Sequence, residues 1–111
     1  MTTIELAREI VATYESHGWE LRRVLLSPEA RAEIAAHAKD IFADATIHDS
    51  NVNALWFARA SHAQRESWEL RLISAQSYAL FEAFEANEAE EDREDVRREM
   101  ENRMRDYANA G

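Results

Sequence analysis

The sequence predicts a two-layer α+β domain, with a mostly antiparallel sheet of about four strands, two helices on one face and an acidic C-terminal helix. Three observations predict it. Apolar residues recur at helical spacing near the N-terminus, they alternate with polar residues around Trp68, and charged helix formers replace them after residue 86. At 111 residues the chain has room for one modest core. We therefore expect one domain over residues 1–86 and a charged helix or extension over residues 87–111.

The N-terminal segment predicts a helix followed by a strand. Thr2 and Glu5 form a capping box, in which each side chain satisfies a free amide at the helix start. Gly18 suits the left-handed conformation that ends many helices. The helix is therefore predicted over residues 2–17, and the apolar segment 19–27 is predicted as the first strand.

A second helix is predicted after Ser27. Serine is a preferred cap, and Pro28 fits the first helical turn because the amide it lacks would have no partner there. Its apolar stripe comprises Ala30, Ile34, Ala38, Ile41 and Phe42. The pattern then weakens, with a short strand possible at Thr46 and Ile47, before a clearer apolar strand over residues 54–60.

The segment around Trp68 predicts the central hairpin of the sheet. Trp68, Leu70 and Leu72 alternate with Glu69 and Arg71, which is the period of a strand with one polar face. After a polar break, a second aromatic run is long enough to pair back antiparallel onto the first. We expect the first three residues to face the two N-terminal helices, and the two charged residues to face outward.

Composition excludes several classes of protein. The chain is 46% hydrophobic and 32% charged, and no apolar run approaches the ~20 residues that cross a bilayer. A net charge of −9 with a single lysine, Lys39, argues against nucleic-acid binding, which depends on cations that displace counterions from phosphate. The chain has no cysteine and no signal-peptide pattern at its start. We expect a cytoplasmic protein that binds neither nucleic acid nor membrane.

One flank of the second helix has the residue types of a metal site. Glu33, His37, Asp40 and Asp44 repeat at helical spacing. The flank is ~16 Å long at 1.5 Å per residue, so one ion would not reach all four. A solvated polar face explains these residues without any ligand and is the favoured interpretation, so we expect no metal and no cofactor.

Catalytic signatures are weak. His48, Asp49 and Ser50 are neighbours in sequence, but a triad needs its three groups to converge in space. The chain has two glycines, Gly18 and Gly111, too few for a phosphate-binding loop or a nucleophile elbow. We expect no catalytic residues, and an enzyme is the less favoured interpretation.

Two surfaces are candidates for binding. An uncovered sheet face with arginines beside aromatic residues would hold an anionic peptide or a carboxylate through forked hydrogen bonds. Its candidate residues are Arg22, Arg59, Arg71 and Trp68. In the alternative interpretation, Glu20 and Glu69 neutralise these arginines through cross-strand pairs.

The second surface is the C-terminal helix, where ten acids and five arginines lie between Glu85 and Asp106. Its apolar seam would contact a partner protein or a second copy of the chain. The seam comprises Val96, Met100, Met104 and Tyr107.

These observations favour a non-enzymatic, intracellular protein-binding or regulatory module that acts through a protein partner or self-association. One alternative is a small-molecule-binding protein or small enzyme with a pocket near Trp19, Trp56, Trp68 and Arg71. A second is an acidic protein that mimics nucleic acid.

Overall fold

The computed structural model describes residues 1–110, which form four α-helices and five strands. Their bounds are α1 Thr3–Ser16, β1 Glu20–Leu26, α2 Pro28–Ile34, α3 Ala38–Phe42, β2 Thr46–Asp49, β3 Ala54–Ala60, β4 Glu66–Leu72, β5 Ala79–Phe84 and α4 Glu90–Ala108. Short 3₁₀ turns lie at Ala35–His37, between α2 and α3, and at His62–Gln64. In the described part of the chain, no helix is long and apolar enough to cross a membrane.

The helix caps predicted from the sequence are confirmed. The Thr2 hydroxyl accepts a hydrogen bond from the amide of Glu5 at 3.1 Å. Gly18 follows α1 with φ +84°, the left-handed conformation expected there. The Ser27 hydroxyl accepts from the amide of Ala30 at 3.2 Å. The second predicted helix is divided into α2 and α3 by the 3₁₀ turn, and its apolar stripe stays on one side across the interruption.

The α+β class is confirmed, and the sheet has five strands in the order β2-β1-β3-β4-β5. The strand beyond the predicted four is the short edge strand β2, which pairs parallel to β1. All other neighbouring strands are antiparallel. Strand β3 is central because residues 54–58 are buried on both faces. The β4–β5 hairpin, which was predicted to be central, therefore lies at one side of the sheet, and β5 is its edge.

Helices cover both faces of the sheet. The face beneath α1, α2 and α3, called the α1 face, buries side chains of β1 and β3 such as Val24, Leu55 and Phe57. The opposite α4 face buries Trp56, Trp68, Leu70 and Phe84 against Met100 and Met104 of α4. Helix α4 thus adds a third layer, because these large side chains on the second face also require cover.

The hairpin faces the opposite way from the expectation stated above. Trp68, Leu70 and Leu72 face α4, whereas Glu69 and Arg71 face the side of α1. Both orientations satisfy the period of two. The long C-terminal helix takes the larger apolar side chains, and α1 packs over β1 and β3 instead.

Charged residues of α4 also take part in its docking. Arg97 is 1% exposed and its guanidinium lies 4.3 Å from the centroid of the Trp68 ring. Arg23 donates two hydrogen bonds, at 2.8 and 2.9 Å, to the Glu94 carboxylate. The bond with Arg23 lowers the pKa of Glu94 below its usual value, despite an opposing effect of burial. Trp56 Nε1 donates to Glu101 at 2.8 Å. These contacts fix α4 on the sheet.

Candidate functional site

Strand β5 is an open edge of the sheet. It pairs with β4 on one side, and no strand within residues 1–110 pairs with it on the other. Natural sheets usually protect such an edge with lysine, proline, a bulge or a very short strand. The six residues of β5 are apolar apart from Glu82 and contain neither lysine nor proline. The other edge strand, β2, has four residues and is mostly polar.

The backbone of β5 presents free hydrogen-bonding groups at alternate residues. The amide of Leu72 donates to the carbonyl of Tyr78 at 3.0 Å. In an antiparallel ladder the two groups of one residue point the same way, and successive residues alternate. Leu80 and Glu82 therefore direct their backbone groups toward β4. The residues that direct theirs outward, called here the β5 edge, are Ala79, Phe81 and Ala83.

The side chains of the β5 edge lie on the α1 face. Phe81 pairs with Glu69, Ala79 with Arg71 and Ala83 with Ser67. The core on this face contains residues of β1 and β3 but none of β5, so α1 does not reach the edge. Phe81 is 56% exposed, and the two alanines are also exposed. The β5 edge thus joins free backbone groups to an uncovered aromatic side chain.

The surface beside Phe81 consists of aromatic side chains, one of which is held by a hydrogen bond. Phe81 meets Trp19 edge to face, with 6.5 Å between ring centroids, and Tyr14 stacks on Phe57 at 4.1 Å. The Tyr14 hydroxyl donates to the Glu69 carboxylate. Burial, together with this bond and the negative charge of Glu69, raises the pKa of Tyr14 above its usual value. Tyr14 therefore stays neutral and holds Glu69 in place.

Two small pockets lie between α1 and the sheet near this edge. One, of about 200 Å³, is lined by Thr13, Tyr14, Arg71 and Ser77 among others. The other, of about 210 Å³, is lined by Thr13, Tyr14, His17, Trp19 and Glu69. Pockets for small ligands usually span ~300 to 1,000 Å³. The surface is better suited to an extended chain than to an enclosed small molecule.

The four predicted binding residues do not form a single cluster. Arg22 lies 5.8 Å from the Trp68 ring centroid and pairs at 3.0 Å with Glu20. Arg59 and Arg71 are on the α1 face, where Arg59 lies 4.3 Å from the Trp19 ring centroid and donates to a backbone carbonyl at 2.8 Å. Arg71 donates to the carbonyl of Leu72. The predicted neutralisation by Glu20 occurs within one strand, whereas Glu69 bonds a tyrosine.

The predicted seam of the C-terminal helix is mostly occupied by the chain itself. Met100 and Met104 are buried in the core of the α4 face, and Val96 packs against the same core. Tyr107 is 41% exposed and stacks on Tyr78, with ring centroids 3.5 Å apart. Helix α4 therefore packs on the sheet and does not project from it. A partner would meet the outer side of this helix.

The residues of the other candidate chemistries are only partly brought together. The three tryptophans are divided between the faces, with Trp56 and Trp68 under α4 and Trp19 beside α1. His48, Asp49 and Ser50 line one polar groove, where Asp49 also pairs with Arg31 at 2.6 Å. No hydrogen bond within residues 1–110 joins the three side chains to one another. Among residues 1–110, no group of three or more histidine, aspartate and glutamate side chains could hold a metal ion.

Four of the eight acidic residues of α4 pair with arginines. Several pair with arginines of the same helix: Arg97 with Glu90, Arg98 with Asp95, and Arg105 with Glu101. A nucleic-acid mimic would need acids spaced along its surface without such neutralisation. The geometry therefore gives this alternative no specific support.

The exposure of Phe81 has no clear signature in the sequence. In a half-covered strand, the apolar residues usually face the cover and the polar residues face solvent. In β5 the relation is locally reversed, because Glu82 lies on the side of α4 and Phe81 on the open side. Only knowledge of which face each helix covers reveals this reversal.

Comparisons with family models, curated proteins and solved structures found no significant match.

Proposed function

We propose that the protein is a non-enzymatic protein-binding module that takes an extended segment of a partner protein along the β5 edge. The observation that carries the proposal is the coincidence of outward backbone groups and an exposed Phe81 at the same positions. In recognition by strand addition, main-chain hydrogen bonds provide affinity and alternate side chains provide specificity. The bound segment would place an apolar residue against Phe81.

The energetics suit a reversible interaction. Each new main-chain hydrogen bond contributes only about 0.5 to 1.5 kcal/mol net, since both partners leave water. Complete burial of a phenylalanine side chain contributes about 1.5 to 3 kcal/mol, and Phe81 is already partly covered by Trp19. Together these terms oppose the cost of ordering the partner segment.

The support for a binding module over an enzyme is geometric. His48, Asp49 and Ser50 share a polar groove, but no hydrogen bond within residues 1–110 aligns them as a triad, and the pockets near the tryptophans are small. By contrast, the β5 edge has the elements of a known mode of peptide recognition. We also retain the cytoplasm as the proposed location, from the sequence arguments above.

The test is capture from a native lysate on the immobilised chain, with two variants beside it. Phe81→Arg places a charge on the β5 edge. Ala36→Arg adds the same charge to an exposed position in the 3₁₀ turn between α2 and α3 and serves as the control. We expect a protein retained by the wild type and by Ala36→Arg, but not by Phe81→Arg.

Hydrogen exchange then locates the contact. Free edge amides exchange rapidly, and a bound strand protects them. Addition of the captured protein should slow exchange at Ala79, Phe81 and Ala83. Retention that is unaffected by Phe81→Arg, or protection confined to α4, would contradict the proposed site.

A further inference from the structure

We infer that the partner segment at the β5 edge is β5 of a second copy of this chain, paired antiparallel across a two-fold axis. This inference rests on the proposed function, and it names the partner. Two five-stranded sheets would join into one continuous sheet of ten strands. The evidence comes from β5 itself. When this strand is paired antiparallel with a second β5, the outward residues of one copy lie opposite the outward residues of the other.

The backbone groups select one register. For two β5 strands to bond, an outward residue of one must lie opposite an outward residue of the other. If Phe81 faces Phe81 of the second copy, then Ala79 faces Ala83 and Ala83 faces Ala79. All three outward residues of each strand are then used, and no residue outside the strand is needed.

The side chains fit this register. The two Phe81 side chains would lie together on the α1 face, because opposite residues of an antiparallel pair share a face. Each has only alanines beside it along its own edge, so neither is crowded. Aromatic cross-strand pairs are favourable. The exposed ring of each copy would thus be covered by the ring of the other.

Charge disfavours one of the neighbouring registers. On the α4 face, Glu82 would lie opposite Leu80 of the second copy. Sliding the strands so that Phe81 faces Ala83 would place Glu82 directly opposite Glu82. Like charges in that position are destabilising. In the register with Phe81 opposite Phe81, all three outward residues are paired and the two Glu82 side chains are not opposite one another.

The net charge gives the dimer a distinctive salt dependence. Each copy carries −9, so the two copies repel one another at long range. Added salt screens this repulsion. Self-association should therefore tighten as salt rises, whereas a basic partner would bind less tightly.

The register can be tested by disulfide cross-linking, since the chain has no cysteine of its own. In the inferred dimer, residue 79 of one copy faces residue 83 of the other at about 5.5 Å between Cα atoms. That spacing falls within the range of about 4.4 to 6.8 Å that a disulfide bridges. We expect a mixture of Ala79→Cys and Ala83→Cys chains to cross-link under mild oxidation.

Each variant alone is the matched control. Two copies of residue 79 would be four residues out of register, roughly 13 Å apart, which is too far for a disulfide. Cross-linking by either variant alone to the same extent as the mixture would overturn the register. Absence of a cross-link in the mixture would overturn the dimer.

Sedimentation velocity over a range of protein concentrations measures the association itself. We expect a monomer–dimer equilibrium for the wild type and for Ala36→Arg. For Phe81→Arg, we expect the dissociation constant of the dimer to be at least roughly tenfold higher. A wild-type chain that stays monomeric at every concentration would overturn the inference. Capture of a different protein in a Phe81-dependent manner would then leave the proposed function standing. If the wild type stays monomeric and no protein is captured in a Phe81-dependent manner, both the dimer and the proposed binding function are overturned.

Discussion

The two faces of the β4–β5 hairpin differ in what covers them. On one face, Trp68, Leu70 and Phe84 are buried beneath α4. On the other, Phe81 is more than half exposed and no helix in the described part of the chain covers it. Neighbouring residues of one strand therefore have different roles. Those under α4 stabilise the fold, and those of the β5 edge remain available for contact.

Removal of α4 should have the largest effect on this difference. A chain that ends at residue 86 would expose the whole α4 face, including Trp56 and Trp68. We expect loss of cooperative unfolding and of the near-ultraviolet circular dichroism that reports fixed aromatic packing. A truncated chain that keeps a cooperative thermal transition would show that α4 is an appendage to an independent domain.

Met104→Ala should have the next largest effect, because Met104 is fully buried in the core of the α4 face. Replacing such a side chain by alanine typically lowers the free energy of unfolding by about 2 to 5 kcal/mol, through lost burial and the cavity that remains. Urea denaturation measures the change. A loss below about 1 kcal/mol would mean that α4 packs loosely.

Tyr14→Phe removes the hydroxyl that donates to Glu69 on the α1 face. We expect a loss of about 1 kcal/mol at neutral pH. The pKa of Tyr14 is raised in the folded state, so its contribution is complete below its ordinary pKa of about 10 and is lost as pH rises beyond it. The wild type should lose stability above about pH 10 more steeply than the variant. Equal slopes in alkaline urea titrations would contradict this.

Glu94→Gln tests the ion pair that fixes α4 to β1. The pKa of Glu94 is lowered in the folded state, so the stabilisation is present above its ordinary pKa of about 4.3 and is lost as pH falls through the folded value. Because Glu94 is partly solvent-exposed, we expect less than about 1 kcal/mol at neutral pH. The difference in unfolding free energy between wild type and variant should shrink in acid. A constant difference would indicate a loss of packing instead.

Phe81→Ser should have the smallest effect on stability, below about 0.5 kcal/mol, because its side chain is largely exposed. The measurement requires protein dilute enough to be monomeric, since a dimer would add its own stabilisation. Met104→Ala in the same buffer provides the comparison. A large loss from Phe81→Ser would show that this ring stabilises the monomer, and the contrast between the faces would fail.

Local sequence signals determined much of the secondary structure. The Thr2 cap, the left-handed Gly18 and the Ser27 cap are confirmed because each depends on residues within one helical turn. The alternation in β4 also predicts a strand correctly, since the period of two is a property of the strand itself. These features together were enough to predict the α+β class.

The sequence alone did not determine which face each helix covers. An alternating strand is compatible with either orientation, and the choice depends on where α1 and α4 pack. The same holds for strand order, since the aromatic run of β5 could occupy the centre or the edge of a sheet. Tertiary structure places β5 at the edge, and α4 rather than α1 over Trp68. The exposure of Phe81, on which the proposed function depends, follows from these long-range packing choices and from no local pattern.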